Sequence, residues 1–306
     1  MNPPVLALSN LSAISDRDRA PILRDVSLEV ARGQTCGLVG ESGAGKSTVA
    51  KAILGILPRT IRVTGGEVKF EGADLLKMKT GPLRRLIGER IALIPQDPMT
   101  ALNPARRIEA QMTDGPRLWR GLDATAARAL ALRLLDEVHI RDPDRVLRSF
   151  PHELSGGMRQ RVLIAAAFAL EPRLIVADEP TTALDVTVQK QILRLIRNMQ
   201  SAHGTSVVFV THDLGVVAQI CDHVTLLFAG RVIARGAVDR RHGAVWKGPG
   251  VEPRGILCGT VIPEANHIPG HRLSPFVRRL SKPGPDQDLD ELLHPGVDRQ
   301  RGRRQQ

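Results

Sequence analysis

Residues 40–47 read Gly-Glu-Ser-Gly-Ala-Gly-Lys-Ser and fit the pattern G-x-x-x-x-G-K-[ST] at every fixed position. This pattern constrains the fold because it works only in one local setting, and the flanks supply that setting. Residues 35–39 form a short apolar run suited to a buried strand, and residues 46–54 follow with helical spacing. A strand, a glycine loop and a helix N-terminus together make an anion site, because loop amides and the helix dipole both favour negative charge. The glycines let the backbone curl so that successive N–H groups can turn toward a phosphate chain. Gly40, Glu41, Ser42, Gly43, Ala44, Gly45, Lys46, Ser47 and Thr48 are therefore the expected phosphate-binding residues. Lys46 has the reach for the β- and γ-phosphates, and the Ser47 hydroxyl suits Mg²⁺.

A chain of 306 residues has room for one large domain or two modest ones. Its net charge of +11 raises the question of nucleic acid or an anionic membrane surface. Residues 237–306 hold 12 Lys/Arg against 8 Asp/Glu, and the remainder holds 31 against 24, so the excess is spread rather than concentrated. With aromatic content of 3% and no Tyr, there is no interleaved aromatic platform for base stacking, and no nucleic-acid partner is expected. The longest apolar stretch, residues 162–170, is too short to cross a bilayer. The first residues, Met-Asn-Pro-Pro-Val, lack the basic start and apolar core of a secretory signal, so the chain is expected to remain in the cytosol. Cys36, Cys221 and Cys258 show no metal-ligand spacing, and the first two read as small buried hydrophobes rather than a disulfide pair.

Further strands are expected at 5–11, 26–30, 67–71, 91–95, 174–177 and 205–210, and helices at 124–139, 157–170, about 186–202 and after His212. Asp123 is placed to cap the first of these helices, and the second is apolar nearly all round, as a buried helix would be. The alternation of strands and helices predicts an α/β fold with a mostly parallel sheet, interrupted by a helix-rich insertion at about 97–160.

The run at 174–177 is a β-branched-rich strand that ends in Asp178-Glu179. Two carboxylates at the exit of a buried strand can hold Mg²⁺ through Asp178 and orient or deprotonate an attacking water through Glu179. The competing reading is a helix N-cap, where both residue types are common. Next to the phosphate loop, the metal-and-base reading is the stronger one.

Taken together, these residues resemble the nucleotide-binding subunit of an ATP-binding cassette (ABC) transporter. Leu154-Ser155-Gly156-Gly157-Met158-Arg159-Gln160 is similar to that family's signature sequence, with Met158 where Gln is commonest. Gln96 follows the strand 91–95 as the Q-loop glutamine does, Thr182-Ala183-Leu184-Asp185 resembles the D-loop, and His212 in Thr211-His212-Asp213 resembles the switch histidine. The motifs stand in the family's order across about residues 5–236. The resemblance implies a P-loop NTPase core with an antiparallel β subdomain and an inserted helical subdomain. It implies ATP and Mg²⁺ as ligands, Glu179, His212 and Gln96 in catalysis, and Ser47, Gln96 and Asp178 around the metal. Ser155, Gly156, Gly157 and Asp185 would complete the ATP site of an opposing subunit in a head-to-tail dimer. Gln96-Asp97-Pro98-Met99-Thr100-Ala101-Leu102-Asn103-Pro104 and the stretch 179–189 are similar to importers of oligopeptides, dipeptides and nickel. That implies two permease subunits as partners, an extracytoplasmic solute-binding protein as an indirect one, and a peripheral location on the cytoplasmic face of the inner membrane. A nickel importer, or an ABC ATPase acting without a membrane, is the alternative.

The chain departs from that family in two places. The segment Asn10-Leu11-Ser12-Ala13-Ile14-Ser15 lacks the aromatic residue that usually stacks on adenine, and Ser15 holds its expected position. Residues 237–306 match nothing in the family's usual continuation, and 17 of these 70 residues are Gly or Pro against 32 of the preceding 236, a shift toward loop or disorder. A divergent tail and an altered reading frame are both compatible with that change.

Overall fold

Two strands at the start of the chain set up the first layer. β1 (Leu6–Ser15) and β2 (Pro21–Val30) pair antiparallel and bury Leu6, Leu8, Leu11 and Ala13 together with Leu23, Val26, Leu28 and Val30. The inward phase slips between Leu8 and Leu11, where the ladder is irregular and Asn10 adopts a φ of +51°. This is a bulge, in which one extra residue re-aims the strand. The fold is seen in a computed structural model that describes residues 3–181, 185–239 and 243–244.

β3 (Thr35–Gly40) is buried at all positions and runs into α1 (Lys46–Ile53) through the phosphate loop. β4 (Ile61–Phe70) and the short β5 (Ala73–Asp74) return to the first layer, and α2 (Thr80–Arg90) leads into β6 (Ile91–Ile94). Five helices then follow without a strand: α3 (Pro98–Ala101), α4 (Ile108–Arg120), α5 (Ala124–Glu137), α6 (Pro143–Arg148) and α7 (Gly156–Phe168). Asp123 caps α5, its carboxylate accepting from Ala126 N at 2.8 Å. The chain then re-enters the sheet through β7 (Leu174–Asp178), α8 (Val186–His203), β8 (Ser206–Thr211), α9 (Leu214–Ile220), β9 (His223–Phe228), β10 (Arg231–Asp239) and β11 (Gly243–Ala244).

The strands form a four-stranded antiparallel sheet in the order β2-β1-β4-β5 and a seven-stranded sheet in the order β11-β10-β9-β3-β8-β7-β6. In the larger sheet β9, β3, β8, β7 and β6 run parallel, with β10 antiparallel at one side. Its central strands are covered on both faces, which is why they read as continuous apolar runs. Cys36, Leu38, Val176, Val208 and Val210 pack toward the antiparallel sheet and α1. Val39, Ile175, Ala177, Val207 and Phe209 pack toward α5, α7, α8 and α9. The architecture is thus α/β, with a parallel core, an antiparallel layer and a helical segment between β6 and β7.

Cys36 and Cys221 are buried thiols. Burial pushes the Cys36 thiol up to about 11, so it stays protonated at neutral pH. Among the described residues, no helix is long and apolar enough to cross a membrane. β10 carries regular structure through Asp239. Cys258, Thr182, Ala183, Leu184 and nearly all of the expected loop-rich tail lie outside the described residues.

Candidate functional site

The register of the parallel strands decides what can meet. Val39 in β3 lies opposite Thr211 in β8, Val210 opposite Asp178 in β7, and Ala177 opposite Ile94 in β6. Gly40, the last residue of β3, and His212, Glu179 and Gln96, just past β8, β7 and β6, all stand at the sheet's carboxyl edge. That edge is where open α/β sheets bind ligands.

The phosphate loop turns into α1 at Gly45, whose φ of +102° is a conformation that L side chains rarely adopt. A Cβ at Gly45 would also lie 2.7 Å from Leu23 Cδ2. The same crowding shows that the β1–β2 hairpin roofs the loop. Ala13 pairs with Leu23, so the hairpin end bearing Ser15 sits on the loop's side of the molecule. Ser42, Gly43 and Ser47 are exposed and Thr48 is partly so. Lys46 is 5% exposed, and its ammonium donates to the carbonyls of Gly40 at 2.8 Å and Glu41 at 2.9 Å. A buried cation held by the loop's own carbonyls stands ready for an anion that the loop amides would also favour.

Glu179 is the focus of the site. Its Oε1 lies 3.7 Å from Lys46 Nζ, and its Oε2 lies 3.3 Å from His212 Nδ1 and accepts from Gln96 Nε2 at 3.5 Å. Three side chains, one from the start of α1 and two from just past the ends of β6 and β8, therefore converge on one carboxylate. The backbone at Glu179 is left-handed, with a φ of +47°, and its N–H donates to Val210 O at 3.0 Å. A non-glycine residue there carries strain of about 1–2 kcal/mol, which persists only where the surroundings over-determine it.

Asp178 occupies the last position of β7. Its Oδ1 is buried without a hydrogen-bond partner. Burial, followed by the neighbouring Glu179 charge, raises its carboxyl above the ordinary value of 3.8, against the pull of Lys51 and Lys46. An orphaned carboxylate oxygen fits a hard cation that takes its other ligands from phosphate and water, and Ser47, exposed at the start of α1, would offer a hydroxyl. Among the described residues, no group of three or more His, Cys, Asp or Glu could hold a metal by protein ligands alone. The helix N-cap reading of Asp178-Glu179 does not hold, because α8 begins at Val186 and its cap is Asp185, which accepts from Thr187 N at 3.0 Å and Val188 N at 2.9 Å.

Ser155, Gly156 and Gly157 stand apart. Ser155 caps α7, accepting from Met158 N at 3.3 Å, and Ser155 and Gly156 are exposed. Among the described residues, neither they nor Asp185 share a hydrogen bond or ion pair with the loop 40–47. Sequence reasoning gave no role to Gln160, which is 1% exposed and donates from Nε2 to Pro180 O at 2.9 Å, next to Glu179. No local signal marks that contact, because twenty residues separate the pair.

The family model for the ABC transporter matches residues 23–182, more than half of the chain. This chain belongs to the ABC transporter family. A probable D,D-dipeptide transport ATP-binding protein of Escherichia coli (strain K12), DdpD, is 51% identical over 215 residues, which is 70% of this chain and 66% of that protein. The chain thus spans slightly less than two thirds of that relative's length. A putative peptide import ATP-binding protein of Brucella abortus (strain 2308) is 43% identical over 239 residues, 78% of this chain and 72% of that one. Among solved structures, the dimeric ATP-binding cassette MJ0796 in a post-hydrolysis state bound to ADP and Pi superposes with a TM-score of 0.67 at 27% identity, covering 76% of this chain and 98% of that one.

Proposed function

We propose that this chain is the ATP-hydrolysing subunit of an ABC importer that takes up small solutes, with peptides as the cargo. One observation carries the catalytic part: Lys46, Gln96 and His212 converge on the Glu179 carboxylate. In this reading Glu179 accepts a proton from the water that attacks the γ-phosphate, while the bond to the β-phosphate oxygen breaks and ADP leaves with the electron pair. His212 and Gln96 fix the Glu179 Oε2 that receives the proton. Lys46 exchanges its loop carbonyls for phosphate oxygens, which also loosens its hold on Glu179. Mg²⁺ bound with the nucleotide would offset phosphate charge, held by Ser47, Asp178 and Gln96.

Ser155, Gly156, Gly157 and Asp185 serve a second cassette in this reading. The exposed N-terminus of α7 suits the γ-phosphate of nucleotide held on the partner, so the active unit is a dimer. A structure of the relative cassette MJ0796 is dimeric, which supports the reading. Residues 5–236 form the ATPase domain, with the helices at about 97–160 as the part that meets two permease subunits. An extracytoplasmic binding protein would deliver the cargo, and this chain would sit peripherally on the inner membrane's cytoplasmic face. The names of relatives that act on peptides support the cargo.

The test is Glu179→Gln. The variant should bind MgATP like the wild type and hydrolyse it at least about 100-fold more slowly, the scale of a lost general base. Unchanged turnover would remove Glu179 from that role. Co-purification with permease subunits and ATP-dependent peptide uptake in vesicles test the transport part.

A further inference from the structure

The contact between Gln160 and Pro180 ties α7, which begins at the Ser155–Gly157 turn, to the segment that bears Glu179. Gln160 lies in α7, four residues after the exposed Gly156. It is a polar side chain that is 1% exposed, and its Nε2 donates to the Pro180 carbonyl at 2.9 Å within the interior. Pro180 directly follows Glu179, whose left-handed backbone is otherwise tied by its N–H to Val210 O at 3.0 Å. The strained residue is thus pinned from both sides, by β8 in front and by α7 behind. Proline is a fitting link. Its ring fixes φ and it has no N–H, so its carbonyl is the one main-chain polar group through which α7 can hold it.

We propose that Gln160 is a positioning residue for ATP hydrolysis, transmitting the placement of α7, and with it the Ser155–Gly157 terminus, to the backbone that presents Glu179. The proposal rests on the functional reading above. It supplies a route by which nucleotide on the partner, met at the start of α7, governs the base in this chain's own site. A helix is stiff over one turn, so a shift at Gly156 reaches Gln160 undiminished. A buried carbonyl that loses its donor is costly, so Pro180 follows the amide rather than parting from it.

The experiment uses the full chain with MgATP and a double-mutant cycle. Gln160→Met keeps the side chain's length and removes the donor. It should lower kcat about tenfold, the loss expected when one buried hydrogen bond stops holding a reacting group. KM and the affinity for a fluorescent ATP analogue with Mg²⁺ should stay within about twofold, because the phosphate loop is untouched. In the Glu179→Gln background, single-turnover hydrolysis should show no further loss, since Gln160 acts only through Glu179. A tenfold loss that multiplies with Glu179→Gln, or a rise in KM without a fall in kcat, would overturn the proposal. Gln160→Glu is a second variant for the case in which Met fails to fold. Its carboxylic acid can donate to Pro180 O and its carboxylate cannot, so its activity relative to wild type should fall as pH rises; a constant ratio would also overturn the proposal. If wild type hydrolyses no ATP, or Glu179→Gln hydrolyses it normally, the functional reading itself fails. An additive cycle with an inactive Glu179→Gln removes Gln160 alone.

Discussion

Asp178→Asn should make the nucleotide-free protein more stable at neutral pH while damaging the site. The Asp178 Oδ1 atom is buried and has no hydrogen-bond partner, and its carboxyl is raised above the ordinary 3.8 by burial and by Glu179. A raised carboxyl means that the folded state binds its proton more tightly than the unfolded state does. Stability must then fall as pH rises from the ordinary Asp value through the raised one, and the full cost is present above it. An unsatisfied buried polar group costs about 1–3 kcal/mol. Asn keeps a polar atom at the same place and relieves only the charge. Asp178 is also partly open to solvent, which screens its charge, so the gain reduces to about 1 kcal/mol. In a protein of this size that is about 2–4 °C in Tm. The assay is thermal unfolding in EDTA from pH 4.5 to 8, with the gain largest at pH 8 and shrinking toward acid. In MgATP the order should reverse, because only wild type keeps the full stabilisation by ligand, worth about 2.7 kcal/mol at a hundredfold excess over Kd. A variant no more stable than wild type at pH 7.5, or a gain that does not shrink with acid, would refute the reasoning.

Three other perturbations follow from the same geometry. Ser15→Tyr should tighten ATP binding by about 1–3 kcal/mol if the hairpin end beside the loop faces adenine, and equilibrium titration with ATP showing unchanged affinity would count against it. Gly45→Ala should destabilise the protein by at least about 1 kcal/mol, because the new Cβ meets both a positive φ and the Leu23 side chain, and chemical denaturation reads this directly. Cys36 and Cys221 should react with a thiol reagent only as fast as the protein opens, so rapid stoichiometric labelling of both at pH 8 under native conditions would contradict their burial.

Features that depend on short windows were legible in the sequence. The loop 40–47 was visible because its chemistry and its flanking strand and helix are contiguous. So was the run 174–177 with its terminal carboxylates. The full extent of β1 and β4 was not, because strands are expected from the sequence only at 5–11 and 67–71, which leaves out residues 12–15 and 61–66. In the fold they lie within long strands. Gly66 adopts a φ of +89°, and a Cβ there would lie 2.4 Å from Asn10 O, so the glycine permits a bulged strand to pass close rather than reversing the chain. The start of α8 at Val186, with Asp185 as its cap, removes the cap reading of Asp178-Glu179, and the helix expected at about 186–202 already pointed that way. Gln160 stands at the end of the signature-like stretch, but its contact with Pro180 was invisible for a stronger reason. Its partner is a main-chain carbonyl on another element, and every residue type has one.

The site also depends on a register that hydrophobicity alone does not enforce. A one-residue slip normally exposes a strand's apolar face, which penalises the error. Here β3, β7 and β8 are buried on both faces, so a slip of β7 against β8 would still bury Ile175 and Val176. Size and polarity at the ends must fix it instead. Phe209 occupies one face of β8, where its neighbours Val208 and Val210 fill the other, and a one-residue slip of β8 itself would force the large ring into the space of a valine. Asp178 and Thr211 stand where their strands leave the core, and slipping β7 inward would bury the Asp178 charge completely. The Asp178 carboxylate thus penalises the wrong alignment, and the correct alignment sets Glu179 against Lys46, Gln96 and His212.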